Sequence, residues 1–161
     1  MILKGVIDED FVNYKKPSMT LIFPKCSFKC DKECGMQVCQ NSELAFAPII
    51  STTYATEYHR YANNPITQAI VMQGLEPFDS LDDLYGFIQY VRDFEHCNDD
   101  IVIYTGYTEE EIFPYLDFLK EYKNIIIKFG RYVPNQQPHY DEILQVKLAS
   151  DNQYAKKISW F

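Results

Sequence analysis

Four of the chain's five cysteines, Cys26, Cys30, Cys34 and Cys39, fall within one short stretch. It directly follows an apolar run, Thr20-Leu21-Ile22-Phe23, that reads as a strand. Thiolates are the ligands of zinc and of iron–sulfur clusters, and a tight cysteine group in a reducing compartment points to metal or redox chemistry more than to disulfides. Successive cysteines are separated by three, three and four residues. Zinc sites favour pairs separated by two residues and four protein ligands, so the zinc template fits poorly. Three thiolates on a cluster that keeps one iron open is the sharper reading. Saturation by all four cysteines, with zinc or with iron, is the alternative. Cys97 stands far from the others and is assigned no role.

Three further places carry residues suited to chemistry. Gly74-Leu75-Glu76-Pro77 leaves a predicted strand at Ala69–Gln73. These are ordinary turn residues, yet a carboxylate at a strand end can also accept from a ligand's ammonium. Tyr104-Thr105-Gly106-Tyr107 ends the next predicted strand, and reads either as strand end, turn and cap or as one wall of a ligand site. Lys128 lies inside the apolar run Ile125–Phe129, where a charge needs a partner or must snorkel from an edge. His59, His96 and His139 are scattered among polar residues and suggest neither catalysis nor metal binding. No phosphate loop, dinucleotide glycine signature or nucleophile elbow occurs.

The elements that must position these groups follow a strand–turn–helix cycle repeated three times. Strands are predicted at Met19–Phe23, Ala69–Gln73, Ile101–Thr105 and Ile125–Phe129, with a short edge strand within Met1–Ile7 and a last one within Ile143–Leu148. Helices are predicted over Ile50–Tyr61 with Ser51 as N-cap, from the capping box Ser80–Asp83 to about Phe94, and after a second capping box at Thr108–Glu111. Glu43–Pro48 reads as a linker. The cycle implies an α/β fold with a parallel sheet and right-handed crossovers. All strand C-terminal ends, and the loops that carry the candidate residues, then open on one side.

The chain has 161 residues and a net charge of −8. That size suits one domain, residues 1–161, with a metal loop at 24–43. The acidic balance argues against nucleic acid as a partner, which needs clustered Lys and Arg. Charges at Lys4, Asp8, Glu9 and Asp10 interrupt any secretory apolar segment, and no apolar run approaches the ~20 residues of a membrane span. A cytoplasmic location and no membrane partner are expected.

Cys26-Ser27-Phe28-Lys29-Cys30 together with Val38-Cys39-Gln40-Asn41 resembles the cysteine loop of radical S-adenosylmethionine (SAM) enzymes. The narrower likeness is to the small activating proteins of anaerobic ribonucleoside-triphosphate reductase. Gln73–Pro77 resembles that family's GGEP segment, Ile103–Tyr107 its YTGY strand end, Phe129-Gly130-Arg131-Tyr132 its D-G-R-F turn, and Ala149–Gln153 its G-S-x-N-Q segment. The resemblance implies an open, partial (βα) barrel of mostly parallel strands. It implies a 4Fe-4S cluster held by Cys26, Cys30 and Cys39, with Cys34 in an inserted loop as the other candidate third ligand. It implies reductive cleavage of SAM at the open iron, with no catalytic side chain beyond the cluster. Phe28 would shield the cluster, and Val38, the apolar residue before the third ligand, would be among the cofactor-binding residues. The Gly74, Leu75, Glu76 and Pro77 turn would line the methionine amino group, Tyr104 and Thr105 would wall the site, and Lys128 would meet the carboxylate. The chain departs from the family pattern in the stretch inserted before Cys39, in Leu75 for a second Gly, and in Phe129 for Asp. The implied partners are the large subunit of the anaerobic reductase, which would receive a glycyl radical, and reduced flavodoxin or a similar electron donor. A radical SAM enzyme acting on another protein or peptide, and a non-catalytic zinc or iron–sulfur protein, are the alternative functions.

Overall fold

The centre of the molecule is a six-stranded sheet. A computed structural model describes residues 1–26, 32 and 42–161. Four consecutive long strands, β3 (Ser18–Phe23), β5 (Ala69–Gly74), β6 (Asp100–Tyr104) and β7 (Ile125–Phe129), lie parallel and in chain order. Two antiparallel strands complete the sheet, β2 (Gly5–Asp10) beside β3 and β10 (Tyr154–Lys157) beside β7. The order is β10-β7-β6-β5-β3-β2, open at both edges. Two small ribbons flank it: β1 (Ile2–Leu3) with β4 (Ile50–Ser51), and β8 (His139–Asp141) with β9 (Val146–Leu148).

The parallel strands are runs such as Ile-Val-Met and Ile-Val-Ile because both faces are covered. Each successive strand adds on the same side of its predecessor, so right-handed crossovers put the three helices on one face. These are α1 (Tyr54–Ala62), α2 (Leu81–Gln89), which continues as π-helical turns over Tyr90–Phe94, and α3 (Phe113–Lys120). Their buried residues Tyr61, Leu84, Phe87, Ile88, Leu116 and Leu119 pack with Met19, Leu21, Ile70, Met72, Ile101, Ile103, Ile125 and Ile127 of the strands. The alternate strand residues Ala69, Val71, Val102 and Ile126 face the other way. They pack with Tyr14, Leu144, Leu148 and Ala155 in a smaller core.

That second face is covered by a strap, the loop after β2. Asp10 folds it by accepting from the Val12 and Asn13 amides, and Thr20 of β3 donates to the same carboxylate at 2.6 Å. Tyr104 donates to the Asn13 carbonyl at 2.6 Å, and Tyr14 to Asp100 at 2.9 Å. The strap therefore reaches from β2 across to β6.

Several elements differ from the sequence expectation. Ile50 and Ser51 are strand, paired with Leu3 and Ile2, and the helix starts at Tyr54 with Thr53 as its N-cap. The predicted linker holds a 3-10 helix at Ser42–Phe46. Thr108 and Glu111 form the reciprocal bonds of a capping box, at 2.9 and 3.3 Å, but one turn ahead of α3. The last sheet strand is not the predicted one. Ile143–Leu148 contributes only the short β9, whereas β10, Tyr-Ala-Lys-Lys, closes the edge of β7 although its sequence carries little strand signal. Among the described residues no helix is long and apolar enough to cross a membrane.

Candidate functional site

The four parallel strands end at one rim, and a cavity of about 300 Å³ opens there. Cys26 lies three residues past Phe23, the last residue of β3, and lines the cavity. Two main-chain bonds prolong the β3–β5 contact beyond the strands and set Cys26 in place: Leu75 N–H to the Phe23 carbonyl at 3.2 Å and Glu76 N–H to the Lys25 carbonyl at 2.7 Å. Gly74 is required at this crossing. Its φ is +99°, and a Cβ there would lie 2.4 Å from Ile22 Cγ2 and 2.8 Å from the Phe23 nitrogen. Only glycine accepts that backbone at that distance.

Glu76 knots the ends of β5 and β6 together. Its Oε1 accepts from Thr105 Oγ1 at 2.8 Å and from the Phe78 amide at 3.1 Å, and its Oε2 accepts from the Gly106 amide at 2.8 Å. Pro77 follows as the first residue of a 3-10 turn, Pro77–Ser80, that Glu76 caps. The carboxyl is buried, and burial pushes it up to about 7 against the pull of its three donors. Thr105 in turn accepts from the Tyr107 amide at 3.0 Å, and its own amide donates to the Lys128 carbonyl at 2.9 Å, which continues the ladder to β7.

Lys128 is buried on β7, opposite Tyr104 on one side and Ala155 on the other. Since β10 covers β7, Lys128 is no edge lysine. It shares the strap-side face with Ile126, two residues before it. Its ammonium lies 5.6 Å from the centre of the Tyr104 ring and donates to the Gly130 carbonyl at 3.0 Å. A cation held over an aromatic face in a buried wall is suited to an anionic group. Burial raises the Tyr104 hydroxyl above its usual range, so it stays a neutral donor.

The structure thus brings Cys26, Gly74, Leu75, Glu76, Tyr104, Thr105 and Lys128 to one cavity, with Pro77 buried just behind the turn. Phe28, Cys30, Cys34, Val38 and Cys39 lie outside the described residues. Among those described, no three His, Cys, Asp or Glu side chains are grouped to hold a metal ion. Residues with no assigned part also line the cavity: Val12 and Asn13 from the strap, Gln73, Gly130, Arg131 and Tyr132 from the end of β7, and Gln153. Arg131 pairs with Glu111 at 2.5 Å and lies over the Tyr107 ring. Gly130-Arg131 and Asn152-Gln153 stood in two of the matched segments, so a signal for them existed. The strap left none, because its place depends on where β2 ends.

A family model described as a 4Fe-4S single cluster domain matches residues 17–154. No curated protein and no solved structure matches the chain.

Proposed function

The chain belongs to the 4Fe-4S single cluster domain family, and from that premise we propose that it is a radical SAM activase that generates a glycyl radical on an anaerobic ribonucleotide reductase. The observation that carries this reading is the convergence of Cys26, the Gly74–Glu76 turn, Thr105 and Lys128 on one cavity at the C-terminal rim of the parallel sheet. The donor set fits the groups required: a thiol on the rim, turn backbone and a carboxyl beside it, and a buried ammonium opposite. Cys26, Cys30 and Cys39 would hold the cluster. Once bound, the cluster would supply an iron with an open position and the electron for reductive cleavage of SAM.

The protein's own part is to bind, orient and exclude water. Glu76 and the Gly74 backbone would receive the ammonium of the methionine moiety. Lys128 would receive its carboxylate, and Tyr104 and Thr105 would keep the wall in place. The strap would close the side away from the helices. The sheet is open at both edges, which suits a substrate that is itself a polypeptide. Reduced flavodoxin or a similar protein would be the electron donor.

The test is anaerobic reconstitution with iron and sulfide, then dithionite and SAM. 5′-Deoxyadenosine is expected, and is lost in Cys26→Ala, Cys30→Ala and Cys39→Ala but kept in Cys34→Ala. Activity kept in Cys39→Ala and lost in Cys34→Ala would exchange the third ligand. Bound iron with no SAM cleavage would leave a cluster-binding protein and end the activase reading.

A further inference from the structure

One segment still lacks a part in the site, the turn Ser150–Gln153 ahead of β10. It is tied down on every side. Gln153 Oε1 accepts from the Ala149 and Ser150 amides at 3.1 and 3.2 Å, and His139 Nε2 lies 2.7 Å from the Gln153 carbonyl. Asn152 donates to the Arg131 carbonyl at 2.8 Å. What remains of Gln153 is its Nε2, and this donates to the Gly130 carbonyl at 3.2 Å. The same carbonyl accepts from Lys128 Nζ at 3.0 Å. Gly130 needs its glycine for this, with φ at +106° and a Cβ position 3.2 Å from the Asn152 carbonyl oxygen.

A carbonyl has two lone pairs, and here each has a buried donor. Such an oxygen can release one donor and stay satisfied, whereas a buried carbonyl with a single donor cannot. Lys128 can therefore turn its ammonium toward an anion in the cavity without stranding Gly130. We propose that Gln153 is a positioning residue for Lys128: it holds the Gly130 carbonyl so that the ammonium is available to the carboxylate of an amino-acid-type ligand. The choice of SAM as that ligand rests on the function proposed above.

The experiment measures equilibrium dissociation constants of SAM and of decarboxylated SAM, which lacks only the carboxylate, on the anaerobically reconstituted protein. The native protein is expected to bind SAM at least tenfold more tightly than the decarboxylated probe. Gln153→Glu keeps the acceptor for Ala149 and Ser150 but loses the donor to Gly130 and sets a competing carboxylate near the ammonium. It should reduce the ratio at least fivefold, through weaker SAM binding, with iron content and melting temperature retained. Lys128→Met should lower the ratio at least as far as the Gln153 variant does. If Gln153→Glu has no thermal transition, Gln153→Asn decides the matter, because the shortened amide must lower the ratio too. An unchanged ratio in the folded Gln153 variant overturns the proposal. Equal binding of both probes by the native protein overturns it while leaving the proposed enzyme intact. Binding of neither overturns both.

Discussion

Glu76 shows how one buried side chain can serve both the fold and the ligand. Three donors satisfy its oxygens, and they tie the loop after β5 to the loop after β6. Donors stabilise the charged form, but burial is the largest influence, and Asp79 adds to it, so the carboxyl is raised from 4.5 to about 7. The folded protein therefore holds this proton more tightly than the unfolded chain does. The resulting stability is fully present below pH 4.5 and is lost as the pH rises through about 7, a contribution on the order of 3 kcal/mol. Urea midpoints measured from pH 5 to 8 should fall for the native protein and fall less steeply for Glu76→Gln. Parallel slopes would show that Glu76 is ionised throughout.

At the scale of elements, two helix starts that look alike in the sequence differ in fact. Thr53 accepts from the Thr56 amide at 3.0 Å and caps α1. Ser80 precedes α2 with Asp83 three residues on, yet makes no cap bond, and its buried hydroxyl has no hydrogen-bond partner among the described residues. The 3-10 turn that Glu76 starts runs straight into α2 and leaves Ser80 with the wrong backbone, φ −125° and ψ 57°. Thr53→Ala should cost about 1 kcal/mol in chemical denaturation. Ser80→Ala should cost less than about 0.5 kcal/mol, or stabilise, since it removes a buried polar atom that has no partner among the described residues. A larger loss for Ser80→Ala than for Thr53→Ala would reverse that assignment.

For the molecule as a whole, the question is whether the scaffold depends on the metal. Two cores lie on either side of one sheet, and their described residues come mainly from the strands, the helices, the strap and the turn between β8 and β9. Small metal domains that unfold on losing their ion have no such core. Stripping iron by chelation should therefore leave the far-UV circular dichroism and a cooperative thermal transition in place. Loss of both would mean that the metal loop organises the sheet rather than resting on it.

The parallel sheet and its open rim were legible in the sequence because apolar runs alternating with amphipathic segments admit few other packings. The cysteine group likewise pointed to metal or cluster chemistry, and the 4Fe-4S family model agrees with that reading. Lys128 could be seen as an anomaly and, through the family resemblance, as a partner for a carboxylate, but not as a buried residue held over Tyr104. Whether a strand is an edge depends on what pairs with it, and β10 has a sequence that advertises no strand. The strap, the crossing that demands Gly74 and the shared carbonyl of Gly130 depend on contacts between residues distant in the chain. Distances across a folded sheet are set by its pairing and twist, so only the tertiary structure could place Cys26, Glu76, Lys128 and Gln153 around one cavity.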